Sequence, residues 1–219
     1  MLRDINNKIF SVWKPPGVLS NDIVYAIRKK YNVKAGHAGT LDPFAEGVIL
    51  VCTGAKTKEI SALQLEFKKY TAKINLGCLT DTLDSDGKII FRKDIPNLTK
   101  DNINMVLRKF TGKVMQRPPA FSAIRINNVR LYSLARNDIF LNLKPREVFI
   151  DSLTLKKNES NFLIIEIVCK SGTYIRALAR DIASALDTCG YLHSLKREYI
   201  GKYNFDNSYL YKEILDGSL

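Results

Sequence analysis

Residues 36–47, Gly-His-Ala-Gly-Thr-Leu-Asp-Pro-Phe-Ala-Glu-Gly, run directly into an apolar stretch, residues 47–53, that reads as a buried strand. Gly36, Gly39 and Gly47 permit positive φ or the close approach of another backbone, and Pro43 biases Asp42 away from the helical region. A fold that buries residues 47–53 must therefore carry a sharply bent loop at the head of that strand, with Asp42 held outward. In isolation the His37-x(4)-Asp42 spacing fits two descriptions equally, a turn with capping side chains or a loop that presents a reactive carboxylate.

The rest of the chain alternates strand and helix signals without a repeat or a low-complexity linker. Lys8 to Trp13 reads as a strand broken by Pro15-Pro16-Gly17, and Ser20 is placed to cap a helix through Arg28. Residues 70–76 alternate and end at Gly77, and Asp86-Gly87 signals a turn before Ile89-Ile90-Phe91. Thr99 or Asp101 can cap a helix whose apolar positions are Ile103, Val106, Leu107 and Phe110. Arg146 to Leu155 and Phe162 to Cys169 are strand-like, and Thr173 to Leu186 is helical in period. The expected fold class is α/β or α+β with a mixed sheet, and the irregular, proline-punctuated stretch at about 115–147 is a possible excursion from it.

The 219 residues are enough to bury a substantial core. Lys plus Arg exceed Asp plus Glu by 34 to 22, and the excess is dispersed, as in Arg28-Lys29-Lys30, Lys68-Lys69, Lys156-Lys157 and Lys196-Arg197, which suits a polyanionic partner or simply a basic solvated surface. Cys52, Cys78, Cys169 and Cys189 share no metal-ligand spacing and have two histidines for company, so neither a zinc site nor a disulfide framework is indicated. Residues 1–8 lack the apolar core of a signal peptide and no uncharged run approaches the span of a bilayer, so a soluble, unsecreted, cytoplasmic protein is expected.

Several separated segments, in order, resemble the TruB-type tRNA pseudouridine synthases. They are Lys14-Pro15-Pro16-Gly17-Val18-Leu19-Ser20, the Gly36 to Pro43 loop, Gly54-Ala55-Lys56-Thr57-Lys58, Lys69-Tyr70, and Leu76-Gly77-x-x-Thr80-Asp81-Thr82-x-Asp84-x-x-Gly87. They continue with Pro118-Pro119-x-Phe121-Ser122-Ala123, Leu131-Tyr132-x-x-Ala135-Arg136 and Ser171-Gly172-Thr173-Tyr174-Ile175-Arg176. Each segment alone is weak, whereas the ordered set spans Ile9 to Arg197 and is specific.

The resemblance implies isomerisation of uridine 55 in the T loop of tRNA to pseudouridine, on a pseudouridine-synthase-type mixed, largely antiparallel sheet flanked by helices, with an RNA-binding excursion. It implies no cofactor, no metal and no membrane partner; the expected partner is the T arm of tRNA and the expected state is a monomer. The family's catalytic aspartate falls on Asp42, its arginine on Arg176 as a charge-assisted support for that carboxylate, and its base-stacking aromatic on Tyr70. Tyr174 and Leu195 match further substrate contacts, and His37 matches the histidine that enters the RNA loop as the uridine is extruded. Packing in a strand or helix is the alternative for Tyr70, Tyr174 and Leu195, and a solvated helical face for Arg176. Lys14, Lys58 and Lys69 serve either loop anchoring or phosphate contact.

Four positions depart from the family pattern: Glu46, Phe121 where tyrosine is common, and Asn128 and Asn137 where glycine is usual. The expected organisation is one catalytic domain over residues 1–219, without the C-terminal RNA-binding domain common in bacterial members. A tRNA-binding or RNA-chaperone module with secondary catalysis is the alternative function.

Overall fold

A computed structural model describes residues 5–217 apart from 123, 127, 128, 138, 140 and 142, so Asn128 lies outside the described residues. In chain order the elements are β1 (Ile9–Lys14), α1 (Ser20–Tyr31), β2 (Ala35–Ala38), β3 (Glu46–Thr53), α2 (Ile60–Gln64) and β4 (Lys68–Leu76). Next come β5 (Cys78–Thr80), β6 (Ile89–Arg92), α3 (Lys100–Lys109), β7 (Gly112–Gln116), β8 (Arg125–Ile126), β9 (Val129–Arg130) and α4 (Leu131–Ala135). The chain closes with β10 (Arg146–Glu159), β11 (Phe162–Cys169), α5 (Ile175–Ala185), β12 (Gly190–Ile200), β13 (Tyr203–Asn204), β14 (Ser208–Leu210) and α6 (Tyr211–Asp216). Strand pairing is mixed and largely antiparallel, with helices on the sheet faces, as the sequence pattern leads one to expect. No helix among the described residues is long and apolar enough to cross a membrane.

Two compact units can be distinguished, Met1–Thr71 with Leu195–Leu219, and Ala72–Ser194. In the first unit β3 is the central strand. It pairs antiparallel with β1 from Ile9↔Cys52 to Lys14↔Gly47, antiparallel with β2 from Ala35↔Thr53 to Ala38↔Leu50, and parallel with β12 at Lys196↔Glu46 and Arg197↔Gly47. Because both of its faces are covered, the apolar run needs no alternation. Ile49 and Val51 join Phe10, Val12 and the α1 residues Ile23, Val24 and Ile27 on one side, while Val48 and Leu50 join Ala38 and Ile200 on the other.

The second unit orders its strands β4-β11-β10-β7, all neighbouring described pairs of β10 being antiparallel. Its core is the inward set of β11, Leu163, Ile165 and Ile167, with Ile103 and Leu107 of α3 and Leu178 and Ile182 of α5, all essentially buried. The α3 cap is Thr99, whose side chain accepts the Asn102 N–H. Within 115–147 the described residues form the β8–β9 hairpin and the short α4, and Asn137 follows α4 with its Nδ2 donating to Ser133 O at 2.9 Å.

Candidate active site

Asp42 sits half-buried in the turn joining β2 to β3, and the peptides around it are fixed from three directions within the first unit. Ahead of it, Ser20 Oγ accepts the Leu41 N–H and donates to the Leu41 carbonyl, both at 2.9 Å. Behind it, the Pro43 carbonyl accepts the Gly17 N–H at 2.8 Å and the Lys14 ammonium at 3.1 Å, and the Asp42 carbonyl accepts the Ala45 N–H at 3.1 Å. Beneath it, the buried Arg197 guanidinium donates to Val48 O at 2.7 Å, Gly39 O at 3.2 Å and Thr40 O at 3.4 Å. A loop so tied keeps its carboxylate in one place without strand or helix geometry of its own.

The reason the chain bends here is Gly47. Its φ is +124°, a conformation that L side chains rarely adopt, and a Cβ there would stand 2.3 Å from Arg197 O and 2.6 Å from Arg197 N. The absence of a side chain is what lets β12 come alongside β3 and bring Arg197 under the loop.

Two buried cations therefore flank Asp42 in its own unit. Lys14 is fully buried, and besides Pro43 it donates to Pro15 O at 3.0 Å and Val18 O at 2.7 Å. Of the two roles open to it in the sequence, these contacts are those of loop anchoring. Burial, reinforced by the charge of Arg197, lowers its pKa to about 8, against the opposing pull of Asp42, Asp22 and Glu46. Glu46 thus adds to the negative charge on this side of the loop.

His37 lies on β2 with Nε2 3.3 Å from Asn21 Oδ1, while Nδ1 is buried with no hydrogen-bond partner among the described residues. Burial first, and the Arg197 charge second, hold its pKa below the usual imidazole range, which favours the neutral ring. Tyr70 on β4 and Leu195 on β12 are buried, Lys69 is half-buried and Lys58 is exposed.

In the second unit the structure explains the Thr80 to Gly87 motif. Thr80 Oγ1 donates to Asp84 O at 2.7 Å, Thr82 Oγ1 to Asp84 Oδ1 at 2.5 Å, and the Asp86 N–H to the same carboxylate oxygen at 3.1 Å. The turn so formed offers Asp84 Oδ2 to Arg176 Nη1 at 3.2 Å and Thr82 O to the same nitrogen at 2.9 Å. Arg176 Nη2 donates to Phe121 O at 2.8 Å, so the backbone at Phe121 is engaged there. Arg176, in the first turn of α5, is buried rather than on a solvated helical face. Tyr174, the residue before that helix, is clasped by buried Gln116, whose Oε1 accepts the Tyr174 N–H at 2.8 Å and whose Nε2 donates to the Tyr174 carbonyl at 3.1 Å.

Sequence reasoning singled out Asp42, His37 and Arg176 but missed three supporting residues. Ser20 reads as a helix cap; in the structure Leu19 is the N-cap residue, its N–H taken by Asp22 Oδ2 at 3.1 Å, and the Ser20 hydroxyl goes to Leu41 instead. Arg197 reads as one of a dispersed basic pair, although its position two residues after Leu195 in a strand puts the two on one face. Asp84 reads as part of a motif with no stated partner. No group of three or more His, Cys, Asp or Glu among the described residues could hold a metal ion.

This chain belongs to the TruB family of pseudouridylate synthases. The family's N-terminal-domain model matches residues 27–175. The tRNA pseudouridine synthase B of Caldanaerobacter subterraneus subsp. tengcongensis is 39% identical over 211 residues, covering 95% of this chain and 74% of that protein. The enzyme of the same name from Dehalococcoides mccartyi (strain ATCC BAA-2100 / JCM 16839 / KCTC 5957 / BAV1) is 42% identical over 201 residues, covering 91% and 67%. Among solved structures, a Cbf5–Nop10–Gar1 complex contains a chain that superposes with a TM-score of 0.75 at 26% identity. The superposition covers 97% of this TruB-family chain and 54% of that one, about half its length. An H/ACA ribonucleoprotein bound to a substrate RNA containing 2'-deoxyuridine gives 0.71 at 25% identity, covering 97% and 53%.

Proposed function

We propose that this TruB-family chain isomerises uridine 55 in the T loop of tRNA to pseudouridine, with Asp42 as the catalytic carboxylate. The observation that carries the proposal is the half-buried Asp42 on a loop pinned at Gly39, Thr40, Leu41 and Pro43, in a chain alike over nearly its whole length to enzymes of one name, the tRNA pseudouridine synthases B. The reaction rearranges one nucleotide: the bond from the ribose to uracil N1 breaks, a bond to C5 forms, N1 gains a proton and C5 loses one, so no co-reactant is consumed. A fixed carboxylate suits this, since it can add to the nucleotide as the glycosidic bond breaks and leave when the uracil has turned. Lys14 and Arg197 hold the backbone of the loop that carries it, at Pro43 and at Gly39 and Thr40.

The remaining roles are assigned with it. Tyr70 stacks on the extruded base, Tyr174 and Leu195 complete the base's surroundings, and neutral His37 enters the RNA where the uridine leaves. Arg176 supports the reacting carboxylate, and Lys58 and Lys69 contact phosphates. Action as a monomer in the cytoplasm belongs to the same reading. The test is Asp42→Asn with an unmodified tRNA transcript and no added cofactor. Wild type is expected to form pseudouridine, and the variant to bind the transcript within about threefold of wild type while single-turnover conversion falls by about a thousandfold or more, roughly 4 kcal/mol of transition-state stabilisation. Conversion at a near wild-type rate by Asp42→Asn removes Asp42 from the mechanism.

A further inference from the structure

Ser20 is the first helical residue of α1, directly after the N-cap residue Leu19. The helix begins without a side-chain cap from Leu19, and the Ser20 hydroxyl is spent on one residue of another element, Leu41, whose N–H and carbonyl it engages together at 2.9 Å each. Ser20 is 4% exposed and Leu41 3%, so water has little access to either end of the clasp.

The two atoms engaged belong to the two peptide planes on either side of Leu41. The second of these planes contains the Asp42 nitrogen, so the clasp sets the direction in which Asp42 leaves the loop. The contacts on Pro43, from Gly17 and Lys14, fix the far side. A group that accepts from an N–H and donates to the carbonyl of the same residue must be both donor and acceptor, as a hydroxyl is and a methyl is not.

Resting on the function proposed above, we propose that Ser20 is a positioning residue for the isomerisation: by holding the Leu41 peptides it orients the Asp42 carboxylate for attack, and it makes no contact with RNA itself. Its loss therefore acts on the chemical step and leaves RNA binding alone.

The experiment compares wild type, Ser20→Ala and Ser20→Thr, full chain, with an unmodified T-arm RNA. Single-turnover conversion, RNA dissociation constant and hydrogen exchange of the Leu41 amide are measured for each. In Ser20→Ala the Leu41 amide is expected to lose protection and the conversion rate to fall at least fivefold, with the dissociation constant within twofold of wild type. Ser20→Thr, which keeps the hydroxyl, is expected to convert faster than Ser20→Ala. A fall of less than fivefold in Ser20→Ala, a dissociation constant that weakens as much as the rate falls, or a threonine variant no better than alanine overturns the proposal. A wild-type protein that forms no pseudouridine refutes the proposed function instead, and the amide exchange then still reports whether the clasp exists.

Discussion

Replacing Gly47 by alanine tests how the Asp42 loop is joined to the sheet. Two costs add at that position. The backbone stands at φ +124°, far from the conformations of L residues, and holding a side chain there costs about 1–3 kcal/mol. The new Cβ would also lie 2.3, 2.6 and 2.8 Å from the O, N and C atoms of Arg197, all of them main chain and unable to turn aside. Relieving that overlap means separating β12 from β3 at the Arg197↔Gly47 pair, comparable to an overpacked core at about 1–3 kcal/mol. A total of about 4 kcal/mol is expected, and for a chain of this length each kcal/mol lowers Tm by about 2–4 °C, so a fall of about 10 °C should be seen in circular-dichroism melting. Gly17→Ala is the control: φ is +84° there, with nothing within 4 Å of an added Cβ, so it carries the conformational cost alone and its Tm should fall by only a few degrees. If Gly47→Ala melts within about 3 °C of wild type, or no lower than Gly17→Ala, the close approach of the two strands is not what demands glycine.

Two further perturbations follow from the buried charges. Asp84→Asn leaves Arg176 buried without this carboxylate, and breaking such a pair by removing one partner costs about 3–5 kcal/mol, which urea unfolding should register; a change under about 1 kcal/mol would mean that the guanidinium is held without this carboxylate. Lys14, with its pKa lowered to about 8 in the fold, gives up its proton there while the unfolded chain keeps it to about 10.5, so between those values the unfolded state binds more protons and stability from this group rises with pH. Relative to Lys14→Met, wild-type unfolding free energy should climb across that window with a slope approaching about 1.4 kcal/mol per pH unit, and parallel pH curves for the two proteins would contradict a lowered Lys14 pKa.

The parts of this molecule legible in its sequence are those that depend on neighbours along the chain. The apolar run at 47–53, the alternation at 70–76 and the Thr99 cap each report a local periodicity or a local hydrogen bond, and β3, β4 and α3 stand where those signals put them. The bent loop that carries Asp42 was legible for the same reason, since glycine and proline act on their own backbone.

What tertiary structure alone decided is which distant groups hold that loop. Ser20 carries the local signature of a cap, and only the placement of Leu41 against it, 21 residues on, diverts the hydroxyl. Arg197 looks like surface charge until the parallel pairing of β12 with β3 buries it among the carbonyls of Gly39, Thr40 and Val48. Lys14 likewise becomes a buried cation only because three carbonyls from Pro15, Val18 and Pro43 converge on it. A side chain's type states what it can bond, and periodicity states which way it points, but the partner it meets is set by contacts remote in sequence, to which neither refers.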